Sequence, residues 1–277
     1  MKPRAKSKPR ATIFKPTYSR VVPEDAEIIV RKGKRYARFK GKDGRKVTAQ
    51  LVANKKDNEA YFGQGNHNIA VGDLDGDGKD EIQFGSCAID DDGTGLYSTG
   101  FGHGDAAHLG DLNPEHKGLE FFMVHEEANR PEVPQIDYRD PKTGKVFWSI
   151  PGNGDIGRGV SADIDPNHIG AESWASNGSG IHNTKGEIIS KTYPTAGRRG
   201  ASFNMFAWWD GDLLREIVDK TVITKWKPET KTTDILLRAY NYDGMSLKSN
   251  NGTKSNPCLI ADILGDLISG VVGEQLS

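Results

Sequence analysis

The sequence predicts an all-β protein built from repeated units of about four short strands. Only 35% of its 277 residues are hydrophobic, whereas 33 are glycine, a composition that favours many short strands and turns over long helices. Acidic turns recur along the chain, and their first acidic residues lie 38, 52, 47 and 52 residues apart. Periods of this size, with one turn between apolar strands, are typical of β-propeller blades.

The turn from Gly72 to Glu81 is the clearest member of this series. Its residues Asp73, Asp75 and Asp77 alternate in a glycine-rich segment, so their carboxylates are able to converge, and Glu81 follows. Densely packed oxygen ligands suit Ca²⁺. The segment is not an EF-hand, because the twelfth position from Asp73 is phenylalanine where that motif needs glutamate. We therefore expect a shorter calcium-binding loop that joins two strands.

Four further turns repeat this pattern with fewer carboxylates. The predicted ligands are Asp111, Asn113, Glu115 and Glu120 in one turn, and Asp163, Asp165, Asn167 and Glu172 in the next. Shorter copies contain Asp210, Asp212 and Glu216, and then Asp262 and Asp266. The alternative for each is a solvated turn capped by its own side chains, and the last two fit that structural role.

The chain divides into two parts of opposite charge. Residues 1–56 contain 18 Lys and Arg but four Asp and Glu, whereas the rest contains 19 basic and 34 acidic residues. We expect a basic segment over 1–57, with a disordered arm over 2–15 and a small β-meander, followed by a propeller domain over 58–277. The segment is either a nucleic-acid contact or a solvated basic appendage.

Four polar, glycine-containing segments lie before the acidic turns and are candidates for a functional site. If they occupy the same position in each blade, they line one face of the propeller. His67 and His103 are in the first two, Arg158 lies between two glycines in the third, and Lys254 follows an Asn-Gly turn in the fourth. A surface lysine is the simpler interpretation of Lys254, whereas arginine between glycines is suited to binding a carboxylate.

Several of these segments, taken in order, resemble the rhamnogalacturonan lyases of polysaccharide lyase family 11. The resemblance covers about residues 60–266. The segments that carry it are Gly63–Asn68, Ile89–Thr99, Gly102–Asp105, Met123–Glu127, Gly157–Gly159, Trp208–Glu216 and Ser249–Lys254. The family fold is an eight-bladed propeller with bound calcium, and its members cleave the rhamnogalacturonan I backbone of pectin by β-elimination.

The resemblance implies a role for each of these residues. Lys254 is expected to be the base that removes the uronate C5 proton, and Arg158 or Ca²⁺ is expected to neutralise the neighbouring carboxylate. Asn251, Gly252 and Thr253 are expected to hold the sugar, while His67 and His103 support the calcium or the substrate. The partner implied is an acidic polysaccharide.

The resemblance also implies that this chain contains about five of the eight blades, as a truncated propeller. Loss of substrate contacts from other blades leaves two hypotheses besides the nucleic-acid one: a rhamnogalacturonan endolyase, and a non-catalytic, calcium-stabilised carbohydrate-binding or interaction module. No apolar run is long enough for a membrane span, and no secretory signal is visible in residues 1–15. The family nevertheless implies an extracellular location.

Overall fold

The computed structural model of the chain describes most of its residues. They are 12–15, 18–21, 26–31, 34–40, 44–50, 59–126, 128, 130–152, 154–195, 204–239, 247–248, 257, 259–266, 268–272 and 274–275. The chain forms two compact units, Met1–Phe62 and Gly63–Ser277. Among the described residues, no helix combines the length and the apolar character needed to cross a membrane.

The first unit contains a hairpin and a three-stranded antiparallel sheet. The hairpin pairs β1 (Thr12–Lys15) with β2 (Tyr18–Val21), and the sheet contains β3 (Glu27–Arg31), β4 (Lys34–Lys40) and β5 (Lys46–Gln50). A 3₁₀ turn spans Glu59–Tyr61. The expected meander is present, but the prediction of a disordered arm over 2–15 is wrong at its end, because the β-branched and aromatic residues of β1 favour a strand.

The second unit contains four consecutive four-stranded antiparallel sheets, each with its strands in sequence order. The first sheet is β6 (Ala70–Gly72), β7 (Glu81–Phe84), β8 (Cys87–Ile89) and β9 (Gly95–Ser98), and the second is β10 (Gly104–Gly110), β11 (Glu120–His125), β12 (Ile136–Arg139) and β13 (Val146–Ile150). The third is β14 (Gly159–Ala162), β15 (Glu172–Ala175), β16 (Ile181–His182) and β17 (Ile188–Ser190), and the fourth is β18 (Met205–Ala207), β19 (Glu216–Asp219), β20 (Val222–Lys227) and β21 (Thr232–Arg238).

Two further strand pairs follow the fourth sheet. β23 (Leu259–Ala261) pairs with β24 (Gly270–Val272), and β22 (Leu247–Lys248) pairs with β25 (Glu274–Gln275). The turn between β23 and β24 contains Asp262 and Asp266, so it occupies the same place as the acidic turns of the four complete sheets. The prediction of an all-β fold made of repeated strand units is thus confirmed.

Successive sheets share apolar cores. One core joins Phe122 and Tyr138 of the second sheet to Ala175 of the third, and another joins Trp174 of the third sheet to Trp226 of the fourth. The first strands of neighbouring sheets also lie together, β10 beside β14 and β14 beside β18. Sheets that pack face to face with adjacent first strands have the packing of propeller blades.

Each acidic turn connects the first two strands of its sheet. Turn 1 is residues 73–80, turn 2 is 111–119, turn 3 is 163–171 and turn 4 is 208–215. All four turns lie at one end of the sheets, here called the turn end. The loops that lead into the first strands lie at the opposite end, here called the site end.

Candidate functional site

A cluster of histidines and carboxylates lies at the site end of the first two sheets. The Nε2 atom of His67 is 3.1 Å from Oδ1 of Asp105, and the Nε2 atom of His103 is 3.6 Å from Oε2 of Glu126. The two imidazole rings are edge to face with centroids 4.9 Å apart. His67, His103 and Glu126 present potential ligand atoms within 4.8 Å of one another, and so do Asp105, Glu126 and Asp155. We call these five residues the metal centre candidate.

Backbone pairing brings these residues together. Asn66 forms a parallel bridge with Gly104, the backbone N–H of Glu126 donates to the carbonyl of His103, and that of Ile156 donates to His125. The register of β10 against β11 shifts between Gly104 and Ala107, which is a β-bulge beside Asp105. Bulges at sheet ends commonly re-aim a side chain next to a functional site.

Glycine is required at position 104 for this approach. A Cβ atom there would lie 2.3 Å from the carbonyl oxygen of Val124 and 2.3 Å from Cε of Met123. Because the Val124 contact is with backbone, a larger residue would push β10 away from β11 and move the adjacent Asp105. The Gly102–Asp105 segment therefore has a structural reason for the glycine at position 104.

A fully buried network of ion pairs includes His125, the residue before Glu126 of the metal centre candidate. The Nε2 atom of His125 is 2.6 Å from Oδ1 of Asp137, whose Oδ2 atom accepts a 2.5 Å hydrogen bond from Nη1 of Arg139, and all three side chains are fully buried. Arg139 also donates to the carbonyl of Gly85 in the first sheet. Burial opposes ionisation of Asp137, but the charge of Arg139 and the contact with His125 outweigh it and lower the pKa of the carboxyl. The network joins two sheets and anchors His125, the neighbour of Glu126.

Arg158 lies beside the metal centre candidate in the chain. Its Nη1 atom donates a 2.5 Å hydrogen bond to the carbonyl of Gly157, and a Cβ atom on Gly157 would lie 3.2 Å from Oδ2 of Asp105. The side chain is half-buried. Asn251, Gly252, Thr253 and Lys254 lie outside the described residues, so the structure does not place the predicted base and sugar-binding segment.

Turn 1 brings three of its four predicted ligands together. Asp73, Asp75 and Glu81 present carboxylate oxygens within 4.8 Å of one another, whereas the Oδ2 atom of Asp77 pairs with Nζ of Lys79 at 3.0 Å. Glu81 is fully buried, and its Oε2 atom accepts the Leu74 N–H at 2.7 Å. Its Oε1 atom is buried without a hydrogen-bond donor among the described residues. A buried oxygen without a donor, beside two carboxylates, suits a hard cation.

Turn 2 does not gather its predicted ligands. Glu120 is fully buried, its Oε2 atom accepts the backbone N–H groups of Leu112 and Asn113, and its Oε1 atom is 2.5 Å from Nδ1 of His116. Glu115 instead pairs with Lys185 at 3.4 Å. Among the described residues, Asp111 is in no group of three potential ligands. An imidazole contacts the second oxygen of Glu120, and calcium binding at turn 2 stays a prediction.

Turn 3 contains a buried carboxylate pair. The Oε2 atom of Glu172 accepts the backbone N–H groups of Ile164 and Asp165, but its Oε1 atom and Oδ1 of Asp163 are buried without a donor among the described residues. Burial, with added repulsion from Asp163, raises the pKa of Glu172 to about 8. Asp165 binds the amide of Asn167 at 2.8 Å. The pair requires either a proton or a cation.

The turns also hold the sheets together by backbone hydrogen bonds. The N–H of Ala171 donates to the carbonyl of Leu112, and the N–H of Arg215 donates to that of Asp163. In both cases the donor is the residue before the buried glutamate, and the acceptor lies in the turn of the preceding sheet. Interactions at this end therefore contribute to the packing of the sheets.

Sequence reasoning identified the two histidines of the metal centre candidate but assigned no role to Asp105, Glu126 or Asp155. They lie in three separate segments, and the pairing of β10 with β11 together with the hydrogen bond from Ile156 to His125 brings them close. The available signal was that Asp105 and Glu126 lie within Gly102–Asp105 and Met123–Glu127. The nucleic-acid contact of residues 1–56 stays a prediction.

The solved structures similar to this chain are rhamnogalacturonan lyases. The crystal structure of rhamnogalacturonan lyase YesW is 44% identical with a TM-score of 0.73, and covers 87% of this chain and 39% of that chain. A Bacillus licheniformis rhamnogalacturonan lyase is 46% identical with a TM-score of 0.73, with the same two coverages, 87% and 39%. These similarities indicate the class of protein, a polysaccharide lyase.

The chain belongs to rhamnogalacturonan lyase family 11, because the C-terminal domain of that family matches residues 37–275. Rhamnogalacturonan endolyase YesW of Bacillus subtilis (strain 168) is 48% identical over 222 residues, which are 80% of this chain and 33% of the relative. Rhamnogalacturonan exolyase YesX of the same strain is 44% identical over 229 residues, with coverages of 77% and 35%. The chain thus spans about a third of the length of these relatives.

Proposed function

We propose that this chain is the part of a rhamnogalacturonan endolyase that neutralises the substrate carboxylate during β-elimination in rhamnogalacturonan I. The observation that carries the proposal is the convergence of two histidines and three carboxylates, one of which, Asp155, lies three residues before Arg158 in a chain of this lyase family. An acidic polysaccharide is the substrate class that this arrangement fits.

The reaction requires removal of a proton from a carbon beside a carboxylate. The C5 proton of galacturonate is weakly acidic while its carboxylate is charged, because the carbanion would add a second negative charge nearby. A group that neutralises the carboxylate lowers this barrier, and electrostatic stabilisation of this kind is usually the largest catalytic effect. The site must therefore present positive charge to the uronate.

The donor set of the metal centre candidate fits Ca²⁺. Asp105, Glu126 and Asp155 supply hard oxygen ligands with net negative charge, and His67 and His103 add two nitrogen atoms. A bound dication supplies Lewis acidity toward the carboxylate. Asp105 is almost fully buried while His67 is 52% exposed, so the ligands form a floor with an open side toward solvent.

Arg158 orients the substrate carboxylate. A planar guanidinium binds a carboxylate through two parallel hydrogen bonds, a geometry that lysine cannot reproduce. The Gly157 backbone before Arg158 lies close to Asp105, and we propose on this basis that the guanidinium and the metal centre candidate serve the same substrate group.

Lys254 is proposed as the base, on the resemblance to the family. The base takes the C5 proton, the C5–H electron pair forms the double bond between C4 and C5, and the C4–O bond to rhamnose breaks. The leaving oxygen then takes a proton. The products are an unsaturated uronate and a new rhamnose end.

Endo cleavage is proposed because the described part of the site is open. His67 and Asp155 are exposed, so no described element closes over the metal centre candidate. An internal stretch of polysaccharide fits an open site, whereas exo cleavage needs a barrier that recognises the chain end. Rapid loss of viscosity before disaccharide release would support endo cleavage, and disaccharide release without viscosity loss would contradict it.

The function is tested by incubating the full chain with rhamnogalacturonan I and Ca²⁺ and following the ultraviolet absorbance of the unsaturated uronate. Arg158→Lys should lower kcat/KM by roughly 10- to 100-fold, because an ammonium group cannot form the two parallel hydrogen bonds that a guanidinium forms with the substrate carboxylate. Arg238→Lys, at an exposed position at the end of β21, is the matched control.

Two outcomes contradict the proposal. One is equal activity of Arg158→Lys and wild type. The other is polysaccharide binding without any new absorbance while a full-length relative is active in parallel. The second outcome would favour a non-catalytic carbohydrate-binding module.

We also propose that turns 1 and 3 bind Ca²⁺ as structural sites. Asp73, Asp75 and Glu81 would hold the ion in turn 1, and Asp163 and Glu172 would contribute in turn 3. The support is the same in both turns, a buried carboxylate oxygen without a donor. Loss of thermal stability on chelation, reduced by Glu81→Gln, is the expected result.

A further inference from the structure

The four buried glutamates of the acidic turns face different residues on the third strand of their sheets. The register of β7 with β8 pairs Ile82 with Ile89, so one further step places Asp90 opposite Glu81. The same step places Asp140 opposite Glu120, and Asn183 opposite Glu172. In the fourth sheet, Ile217 pairs with Thr224, and the residue opposite Glu216 is Lys225. Three sheets have an oxygen-bearing side chain at this position, and the fourth has a lysine.

The ammonium group of Lys225 lies among the carboxylates of turn 4. Its Nζ atom is 2.5 Å from Oδ2 of Asp210, 2.5 Å from Oδ2 of Asp212 and 3.0 Å from Oε1 of Glu216. Only 10% of the lysine side chain is exposed, and Glu216 is fully buried. The ammonium group therefore donates hydrogen bonds to Asp210 and Asp212 and forms an ion pair with Glu216.

Turn 1 also gathers three carboxylates, Asp73, Asp75 and Glu81, and among the described contacts no lysine lies between them. By strand register, Asp210 and Asp212 occupy the positions of Asp75 and Asp77, and Trp208 occupies the position of Asp73. Lys79, the nearby lysine of turn 1, pairs with Asp77 at 3.0 Å and with Asp91 at 3.1 Å instead. Each turn thus gathers three carboxylates, but among the described residues an ammonium group contacts all three only in turn 4.

Several features show that Lys225 is held as a charged group. Burial by itself lowers the pKa of Lys225, but hydrogen bonds to the three carboxylates outweigh this effect and raise the pKa above its ordinary value. Hydrogen bonds to Lys225 lower the pKa of Asp210 against the opposing effect of burial. Glu216 also accepts the backbone N–H of Trp209 at 2.7 Å, so its second oxygen is satisfied by the turn itself.

We propose that the Lys225 ammonium is a built-in cation that replaces a divalent metal ion at turn 4, and that the same three carboxylates become a Ca²⁺ site when this ammonium is removed. On this proposal, turn 4 adopts its conformation without a metal ion, whereas turn 1 needs Ca²⁺ to neutralise its carboxylates. The proposal does not depend on the catalytic function, since turn 4 lies at the opposite end of the sheets from the metal centre candidate.

The test counts the Ca²⁺ ions bound to the full chain by equilibrium dialysis with radioactive calcium. Lys225→Met should bind one more equivalent than wild type, because methionine retains the length of the side chain without its charge. Lys227→Met is the matched control, since Lys227 is on the same strand, is 42% exposed and approaches Asp234 only at 3.9 Å. It should leave the count unchanged.

Two further variants decide the outcome. Adding Asp210→Asn and Asp212→Asn to Lys225→Met should remove the additional equivalent. The same two asparagine changes in the wild-type background should leave the count unchanged, and a loss of one equivalent there would show that turn 4 already binds metal. An unchanged count in folded Lys225→Met, or failure of that variant to fold even with Ca²⁺ present, would also overturn the proposal.

Discussion

The two ends of the same sheets place similar acidic residues in different surroundings. At the site end, Asp105, Glu126 and Asp155 lie beside two histidines, and the cluster is open to solvent on one side. At the turn end, each carboxylate set includes a fully buried glutamate that accepts the backbone N–H groups of its own turn. The difference teaches that exposure and neighbouring groups, more than the number of carboxylates, distinguish a site for chemistry from a structural one.

The largest expected effect is a loss of folding stability when the buried ion network of His125, Asp137 and Arg139 is broken. Asp137→Asn leaves the charge of Arg139 buried without its carboxylate, and breaking a buried pair in this way costs about 3–5 kcal/mol. The free energy of unfolding in urea measures the loss. Glu132→Gln, which removes an exposed partner of Arg130, is the control and should not shift the midpoint. Equal stability of the two variants would contradict a structural role for the network.

The next effect separates activity from stability. His103→Ala should lower lyase activity by at least about 100-fold, which is about 2.7 kcal/mol in the barrier, and should remove one bound Ca²⁺. The side chain of His103 is only partly buried, so the unfolding midpoint should change little. The measurements are absorbance kinetics, calcium counting and a thermal melt. If His103→Ala lowered the unfolding midpoint strongly but kept its lyase activity, the site end would be structural and our assignment of it to catalysis would be wrong.

At the turn end, the raised pKa of Glu172 leads us to expect that the effect of calcium on folding stability depends on pH. Its pKa is about 8 in the folded protein against a reference value of 4.5, so the stability it contributes without metal is present below about pH 4.5 and is lost as the pH rises toward 8. Calcium should offset that loss. The calcium-dependent gain in stability should therefore grow by about 3 kcal/mol between pH 5.5 and 8, because one pKa unit corresponds to about 1.36 kcal/mol.

The check is a series of thermal melts with and without Ca²⁺. Glu172→Gln should abolish the pH dependence of the calcium effect while leaving lyase activity at the site end unchanged. Glu187→Gln, at an exposed position in the same sheet, is the control. A calcium effect that is independent of pH in the wild type would argue against metal binding at turn 3.

The smallest effect is expected at Lys79, whose ammonium pairs with Asp77 and Asp91 on the surface. Lys79→Ala should produce no measurable change in the unfolding midpoint at ordinary salt, because exposed ion pairs are screened. Lys225→Met without Ca²⁺ should destabilise the fold clearly. If the two substitutions lowered the unfolding midpoint equally, the difference in burial between Lys79 and Lys225 would not determine how much each lysine stabilises the fold.

The fold was largely predictable from the sequence, because the acidic turns repeat with the period of the strand units. The Asp73–Glu81 segment alone predicts a turn between two strands, and β6 and β7 lie on either side of it. The β1 strand was missed because its few β-forming residues lie within a basic, proline-containing stretch. Local composition outweighed the strand propensity of Thr12–Phe14 in that prediction.

The candidate site was less predictable, since it depends on contacts between segments. Asp105 becomes a potential ligand because a bulge re-aims β10, and Glu126 does so because it follows β11 into the same end of the sheet. Lys225 was not identified, because its position opposite Glu216 depends on a one-residue register between β19 and β20. The contact between His116 and the buried Glu120 in turn 2 was also not predicted, because the sequence pattern counts carboxylates and does not show their partners.

The most direct test of the difference between the two ends compares lyase activity in three forms of the chain, wild type, His103→Ala and Glu81→Gln, at a temperature where all are folded. The substrate is rhamnogalacturonan I with Ca²⁺, and the measurement is the absorbance of the unsaturated uronate. We expect activity in wild type and Glu81→Gln and none in His103→Ala. Activity that survives in His103→Ala but is lost in folded Glu81→Gln would contradict the account.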